Sequence, residues 1–91
     1  MTVADHNDLN LRRRRCLYRA TRRGIKEMDW LLGRYAEAVL PSADAEAVAF
    51  WERLVELPDP QFQDWIMGHA AAEDAQVTAV VTEIRRFHGM E

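Results

Sequence analysis

The sequence has 91 residues, of which 48% are hydrophobic and 30% are charged, a composition typical of globular rather than disordered chains. This length suits one domain and leaves little room for a second domain or a deep substrate cavity. No stretch approaches the roughly 18 consecutive apolar residues of a membrane span, so direct membrane insertion is not expected. The first ten residues lack an apolar signal-peptide core and include Asp5 and Asp8, which indicates a bacterial cytoplasmic protein.

The charges are distributed unevenly along the chain. Nine basic and four acidic residues precede Tyr35, whereas three basic and eleven acidic residues follow from that point, and the net charge is −3. Such a polarised chain is expected to meet a partner with its basic end.

Apolar residues recur at helical spacing throughout the chain, and no run alternates like a strand. The predicted helices cover residues 8–21, 26–39, about 43–57, 60–68 and 72–88. The prediction is therefore an all-α fold, a compact five-helix bundle in a single domain. Residues 1–7 are expected to form a flexible tail, and residues 8–89 the helical domain.

Glycines and small polar residues mark the predicted helix ends. Gly24 and Gly89 are expected to end the first and fifth helices in a left-handed conformation. Either Gly68 or His69 is expected to end the fourth. Ser42 is the predicted cap of the third helix, and Asp59 that of the fourth.

The buried face of each helix follows from its apolar stripe. Gly33, inside the second helix, indicates a close contact on its side. The predicted core consists of Leu31, Leu32, Tyr35, Trp51, Leu54, Trp65, Ile66, Val80, Val81 and Ile84. Partial exposure of Trp30 or Trp51 would favour a contact surface.

The sequence lacks the combinations of residues that catalysis or metal binding requires. The three histidines, His6, His69 and His88, lie in different regions and form no metal-binding pair with a cysteine or glutamate. No glycine-rich phosphate loop occurs. Cys16 is the only cysteine, and is interpreted as a small apolar residue. The chain is thus predicted not to be an enzyme, with no catalytic, metal or cofactor-binding residues of its own.

A run of four arginines, residues 12–15, suggests nucleic-acid binding, since clustered arginines bind phosphates. The whole chain is acidic, however, with a pI of about 5.6. No recognition helix with interleaved aromatic or amide side chains follows the run. A solvated basic face on the first helix is the favoured interpretation, and no nucleic-acid partner is expected.

The segment from Arg22 to Asp29 is the most informative. Arg23 and Glu27 are four residues apart and would share one face of a continuous helix. Gly24 between them removes a side chain, so another backbone could approach closely. The residues alone leave two interpretations open: a docking spot for a partner's opposite charges, or a plain corner between two helices.

The same residues carry a resemblance to a known family. Arg23-Gly24-x-x-Glu27 resembles the RGxxE motif of the SdhE family, called succinate dehydrogenase assembly factor 2 in mitochondria, and the residues around it, from Arg22 to Leu32, resemble that family's signature. A second stretch, from Pro58 to His69, is similar to the family's DPDLxxWLMxH pattern. The resemblance covers roughly residues 12–84.

The resemblance implies an assembly factor that binds the flavoprotein subunit of succinate dehydrogenase, with fumarate reductase as a second candidate partner, and promotes covalent attachment of FAD. FAD would be attached to a histidine of the partner and would not be bound stably by this chain. The residues expected to bind the partner are Arg23, Gly24 and Glu27, with Asp29 as a neighbour. Members of the family have also been described as antitoxins, so a toxin-neutralising binding module is the alternative.

Overall fold

The computed structural model describes the backbone of residues 2–90 and the side chains of residues 8–90. It contains five α-helices and one 3-10 turn, Leu40–Ser42, and no strand occurs in the described backbone. The helices are α1 (Thr2–Thr21), α2 (Lys26–Val39), α3 (Ala45–Leu54), α4 (Asp59–Met67) and α5 (Ala75–Phe87). The predicted all-α class with five helices is confirmed.

The chain divides into two units, one ending at Glu56 and the other beginning at Leu57. The first unit contains α1, α2 and α3, and the second contains α4 and α5. The α1 backbone begins at Thr2 rather than near Asp8. The side chains of residues 1–7 lie outside the described residues. The flexible tail expected there stays a prediction.

The first unit is held together by apolar side chains from its three helices. Cys16 and Ala20 of α1 are buried, as are Met28 and Leu32 of α2. Between α2 and α3, the rings of Tyr35 and Trp51 stack with centroids 6.0 Å apart. The buried residues of α3 are Val48, Trp51 and Leu54.

Two of the predicted core residues, Tyr35 and Trp65, are only half-buried. Their rings carry a polar group that favours a position where one edge remains in water. The other predicted core residues are buried. The sequence pattern therefore found the correct helix faces and overestimated the burial of two amphipathic rings.

Gly33 makes the close contact that its position in α2 predicts. It is buried, and a Cβ atom there would lie 3.1 Å from Thr21 Cγ2 and 3.3 Å from Thr21 Cα. The last turn of α1 thus packs directly on the α2 backbone. Any larger residue would push the two helices apart.

Both ends of α3 differ from the prediction. Ser42 lies inside the 3-10 turn, and Asp44 is the N-cap, whose carboxylate accepts a hydrogen bond from Ala47 N at 2.8 Å. The 3-10 turn displaces the helix start by two residues, which moves the cap from Ser42 to Asp44. The helix ends at Leu54 rather than near residue 57, with a final i→i−3 bond from Glu56 N to Arg53 O.

In the second unit, the helix starts also shift. Asp59 is the first residue of α4 rather than its cap, and Pro58 occupies the cap position without a side-chain bond. The acid then lies in the first turn, where the helix dipole favours it. Helix α5 begins at Ala75, three residues after the predicted start. Its cap is Asp74, which accepts hydrogen bonds from Gln76 N and Val77 N.

Both helices of the second unit end at glycines in the left-handed conformation, Gly68 (φ +82°) and Gly89 (φ +72°). His69 N donates to Asp64 O, and Gly68 N donates to Trp65 O, the two bonds of a Schellman motif. Buried side chains of the unit are Phe62, Ile66, Val77, Val80, Val81 and Ile84. Within the described chain, no helix combines the length and apolar character required to cross a membrane.

Candidate functional site

The corner between α1 and α2 contains the residues singled out by the sequence. Because α1 ends at Thr21 and α2 begins at Lys26, Arg23 and Glu27 do not share one continuous helix. Gly24 lies between them with φ +92°, a conformation that side-chain-bearing residues rarely adopt. No atom lies within 4 Å of where its Cβ would be, so this stretch of backbone faces open space.

Asp29 fixes the shape of this corner from the first turn of α2. Its Oδ1 atom accepts a hydrogen bond from Arg23 N at 2.5 Å, and its own N–H donates to Ile25 O at 2.9 Å. The cap position of α2, Ile25, supplies no side-chain bond. The half-buried Asp29 carboxylate thus binds the corner backbone, a role that sequence reasoning did not assign to it.

The Arg23 side chain connects the corner to α3. Its Nη1 atom donates to Val55 O at 2.8 Å, and Val55 is the C-cap of α3. Carbonyl groups at a helix C-terminus carry partial negative charge, so a guanidinium is favoured there. Arg23 is half-buried, and at least part of its hydrogen-bonding capacity serves the fold.

Glu27 and Trp30 extend the corner along α2. Both side chains are exposed, and 53% of Trp30 is accessible. Residues three apart on a helix lie on neighbouring positions of one face. An exposed tryptophan is a common anchor of protein interfaces. Trp51, the other tryptophan considered, is buried.

We call the residues Arg23, Gly24, Glu27 and Trp30 the corner surface. It combines a carboxylate, an uncovered backbone, an aromatic ring and part of a guanidinium. Such a set suits recognition of another protein: the glycine permits close backbone approach, the charged groups give orientation and the ring gives apolar contact area. Asp29 supports this surface by accepting the hydrogen bond from Arg23 N.

The run of four arginines does not act as one group. Arg12 makes two hydrogen bonds to the Glu52 carboxylate, at 3.0 and 2.8 Å, and Arg13 Nε donates to Ala43 O at 2.8 Å. Arg14 and Arg15 are exposed. A solvated basic face therefore describes only half of the run.

Ion pairs between α1 and the α3 side of the unit shift several ionisation equilibria. The hydrogen bond from Arg12 lowers the pKa of Glu52, and that from Arg19 lowers the pKa of Glu56. Burial raises the pKa of the Cys16 thiol beneath them. The Cys16 side chain is 1% exposed and belongs to the core.

Other reactive groups are dispersed. Among residues 8–90, no group of three or more His, Cys, Asp or Glu side chains could hold a metal ion. Just after α4, the exposed His69 lies with Nδ1 3.8 Å from Asp64 Oδ1. At the end of α5 the His88 ring meets Phe87 edge-on. Both histidines lie at helix C-termini as predicted, and the His6 side chain lies outside the described residues.

Comparison with known proteins identifies relatives over most of the chain. Residues 14–88 match the family model described as the flavinator of succinate dehydrogenase. The chain is 37% identical over 79 residues to the FAD assembly factor SdhE of Acetobacter pasteurianus, spanning 87% of this chain and 72% of that protein. It is also 37% identical over 68 residues to the factor of that name from Pseudomonas aeruginosa, spanning 75% and 81% respectively.

A eukaryotic relative shares the same region. The mitochondrial succinate dehydrogenase assembly factor 2 of Komagataella phaffii is 33% identical over 75 residues, which are 81% of this chain and 36% of that protein. No solved structure matches the chain significantly. The resemblance indicated by the two sequence motifs is confirmed: the chain belongs to the SdhE family, the flavinators of succinate dehydrogenase.

Proposed function

We propose that this chain is a non-enzymatic assembly factor that binds the flavoprotein subunit of succinate dehydrogenase and promotes covalent attachment of FAD to it. Family membership supports this proposal, because its bacterial relatives are named FAD assembly factors and its yeast relative a succinate dehydrogenase assembly factor. Fumarate reductase is a second candidate partner, and the bacterial cytoplasm is the proposed location.

One structural observation carries the choice of working surface. The exposed Glu27 carboxylate lies beside the left-handed Gly24, whose backbone faces open space. In the proposal Glu27 contacts the flavoprotein, and Gly24 allows the partner's backbone to approach closely. Arg23 and Asp29 contribute by holding the corner in shape. The Arg23 side chain donates to Val55 O, and the Asp29 carboxylate accepts from Arg23 N.

The proposed mechanism is positioning rather than chemistry on this chain. The corner surface holds mobile segments of the immature flavoprotein so that its acceptor histidine and the flavin are aligned. Prior alignment lowers the entropic cost of bringing two reacting groups together. FAD is cargo attached to the partner, and this chain is proposed not to bind it stably. None of His6, His69 and His88 is the acceptor.

A reconstituted flavinylation assay tests this function. The purified apo-flavoprotein is incubated with FAD in the presence or absence of the chain, denatured and separated by electrophoresis. Covalent flavin survives denaturation and fluoresces in the gel. The proposal expects faster appearance of fluorescence with the chain. An unchanged rate would contradict it, and co-purification of a small toxin from cells would favour the antitoxin alternative.

A further inference from the structure

A second surface is formed by residues that belong neither to the corner surface nor to the ion pairs with α3. Arg14 and Tyr18 are four residues apart on one face of α1, and Arg22 is the first residue after that helix ends at Thr21. The exposed Tyr18 is 60% accessible, and the Arg22 guanidinium lies over its ring, 4.5 Å from the centroid. This cation–π contact orients the arginine beside the ring.

These side chains line a groove between α1 and α2. Leu17 and Thr21 contribute apolar surface to its α1 wall, and Glu37 of α2 lies on the other side. Glu37 is itself near Arg34, with 3.9 Å between Nη1 and Oε1. The groove thus has a cation at each end, an aromatic ring in the middle and one acid already near a base.

The charges of the groove indicate its occupant. Arg12, Arg19 and Arg23 are engaged with α3 or residues that follow it, whereas Arg14 and Arg22 line the groove. Residues 14 and 21 are roughly 10 Å apart along the α1 axis at the standard rise, and Arg22 follows directly. We propose that this α1–α2 groove docks an acidic, extended segment of a protein partner, whose carboxylates pair with Arg14 and Arg22 and whose apolar atoms cover Tyr18.

A protein segment fits this lining better than a nucleic acid does. The groove contains the apolar side chain of Leu17 and the ring of Tyr18, which the uncharged atoms of a peptide can cover and a phosphate backbone cannot. Two carboxylates four residues apart in an extended peptide are separated by roughly 13 Å, close to the spacing of the two arginine positions.

The test is a titration of the ¹⁵N-labelled full chain, followed by amide chemical shifts. The probe is an acetylated peptide with two glutamates four residues apart, and the matched peptide carries glutamines instead. The proposal expects shifts concentrated at residues 17–22, binding that weakens with added salt, and no binding of the glutamine peptide. This binding is independent of the corner surface and of the flavinylation function.

Two variants make the test decisive. The Arg14→Gln/Arg22→Gln variant is expected to bind the acidic peptide about tenfold more weakly. Arg86→Gln removes an exposed arginine of α5 that pairs with Glu83, and its binding should stay within about twofold of the original. Unchanged binding by the double variant, shifts scattered over the surface, or stronger binding of a single-stranded oligonucleotide at the same amides would overturn the proposal.

Discussion

The two faces of α1 carry the same residue type and use it in opposite ways. On the α3 side, Arg12 and Arg19 pair with the carboxylates of Glu52 and Glu56. On the α2 side, Arg14 and Arg22 line an open groove. The difference lies in what the neighbouring helix offers, since the end of α3 supplies carboxylates and terminal carbonyls. A run of arginines in a sequence therefore indicates charge, and the packing decides which charges stabilise the fold and which remain for a partner.

The largest effect on the free energy of unfolding is expected at Gly33, where Thr21 of α1 packs directly on the α2 backbone. Gly33→Leu would force a bulky side chain against the Thr21 backbone and should destabilise the chain by about 3 kcal/mol. Gly33→Ala should cost about 1 kcal/mol, because helix propensity offsets part of the overpacking. Chemical denaturation measures both, and Thr21→Ser, which removes the nearest methyl group, should partly rescue Gly33→Ala. Equal stability of the original chain, the two Gly33 variants and the Thr21→Ser/Gly33→Ala double variant would contradict the close contact.

Neighbouring arginines at the end of α1 should differ in their effect on stability. Arg23→Gln loses a charged hydrogen bond to the Val55 carbonyl and should lower the unfolding free energy by about 1–2 kcal/mol. Arg22→Gln loses only an exposed contact with Tyr18 and should cost less than about 0.5 kcal/mol. A reversed order in urea titrations would mean that the two side chains have been assigned the wrong roles.

Two left-handed glycines separate conformational strain from partner binding. Gly24→Ala and Gly68→Ala should each lower the free energy of unfolding by about 1 kcal/mol, because both positions have positive φ, which is unfavourable for a residue with a side chain. Only the Gly24 variant should also slow flavinylation of the partner, since its new methyl group projects from the corner surface. Thermal unfolding gives the first quantity and in-gel flavin fluorescence the second. Equal losses of activity in the two variants would show that strain alone is responsible.

The smallest expected effect is the acid dependence of the ion pair on the α3 side. The pKa of Glu52 is lowered from 4.5 in the folded chain, so the unfolded chain binds more protons as the solution is acidified. The stabilisation is fully present above about pH 5.5 and is lost as the pH falls through 4.5 and then through the folded pKa. Glu52→Gln should flatten this part of the stability profile, and salt should weaken the effect. An unaltered pH profile in the Glu52→Gln variant would contradict the ion pair.

Local patterns predicted much of the fold. Apolar spacing gave the number of helices, and the positive φ of Gly24, Gly68 and Gly89 follows from the conformational freedom of a residue without a side chain. The close contact at Gly33 was also predictable. Helix starts were less so, because the cap shift from Ser42 to Asp44 depends on a 3-10 turn that nearby residues do not specify.

The candidate site was predictable as a set of residues and not as an arrangement. The motif places Arg23, Gly24 and Glu27 together, but Arg23 bonds to Val55 O, 32 positions away, a pairing that only the packing of α3 creates. The sequence predicts Asp29 as a partner-binding neighbour, which stays a prediction, and it gives no signal that the Asp29 carboxylate also binds the corner backbone. Long-range pairs such as Arg12 with Glu52 leave no local signal because neither residue's neighbours encode the other's position.

The most direct test of the corner surface compares two glutamates in equivalent positions. Glu27 and Glu46 are both exposed and both lie in the first turn of a helix, so replacing either by alanine removes the same helix-dipole interaction. Cells lacking the gene are complemented with each variant, and covalent flavin on the succinate dehydrogenase flavoprotein is measured by in-gel fluorescence. We expect Glu46→Ala to restore the signal and Glu27→Ala to leave it near the level without the gene, with equal helical content by circular dichroism. Full restoration by Glu27→Ala would contradict the assignment of the corner as the working surface.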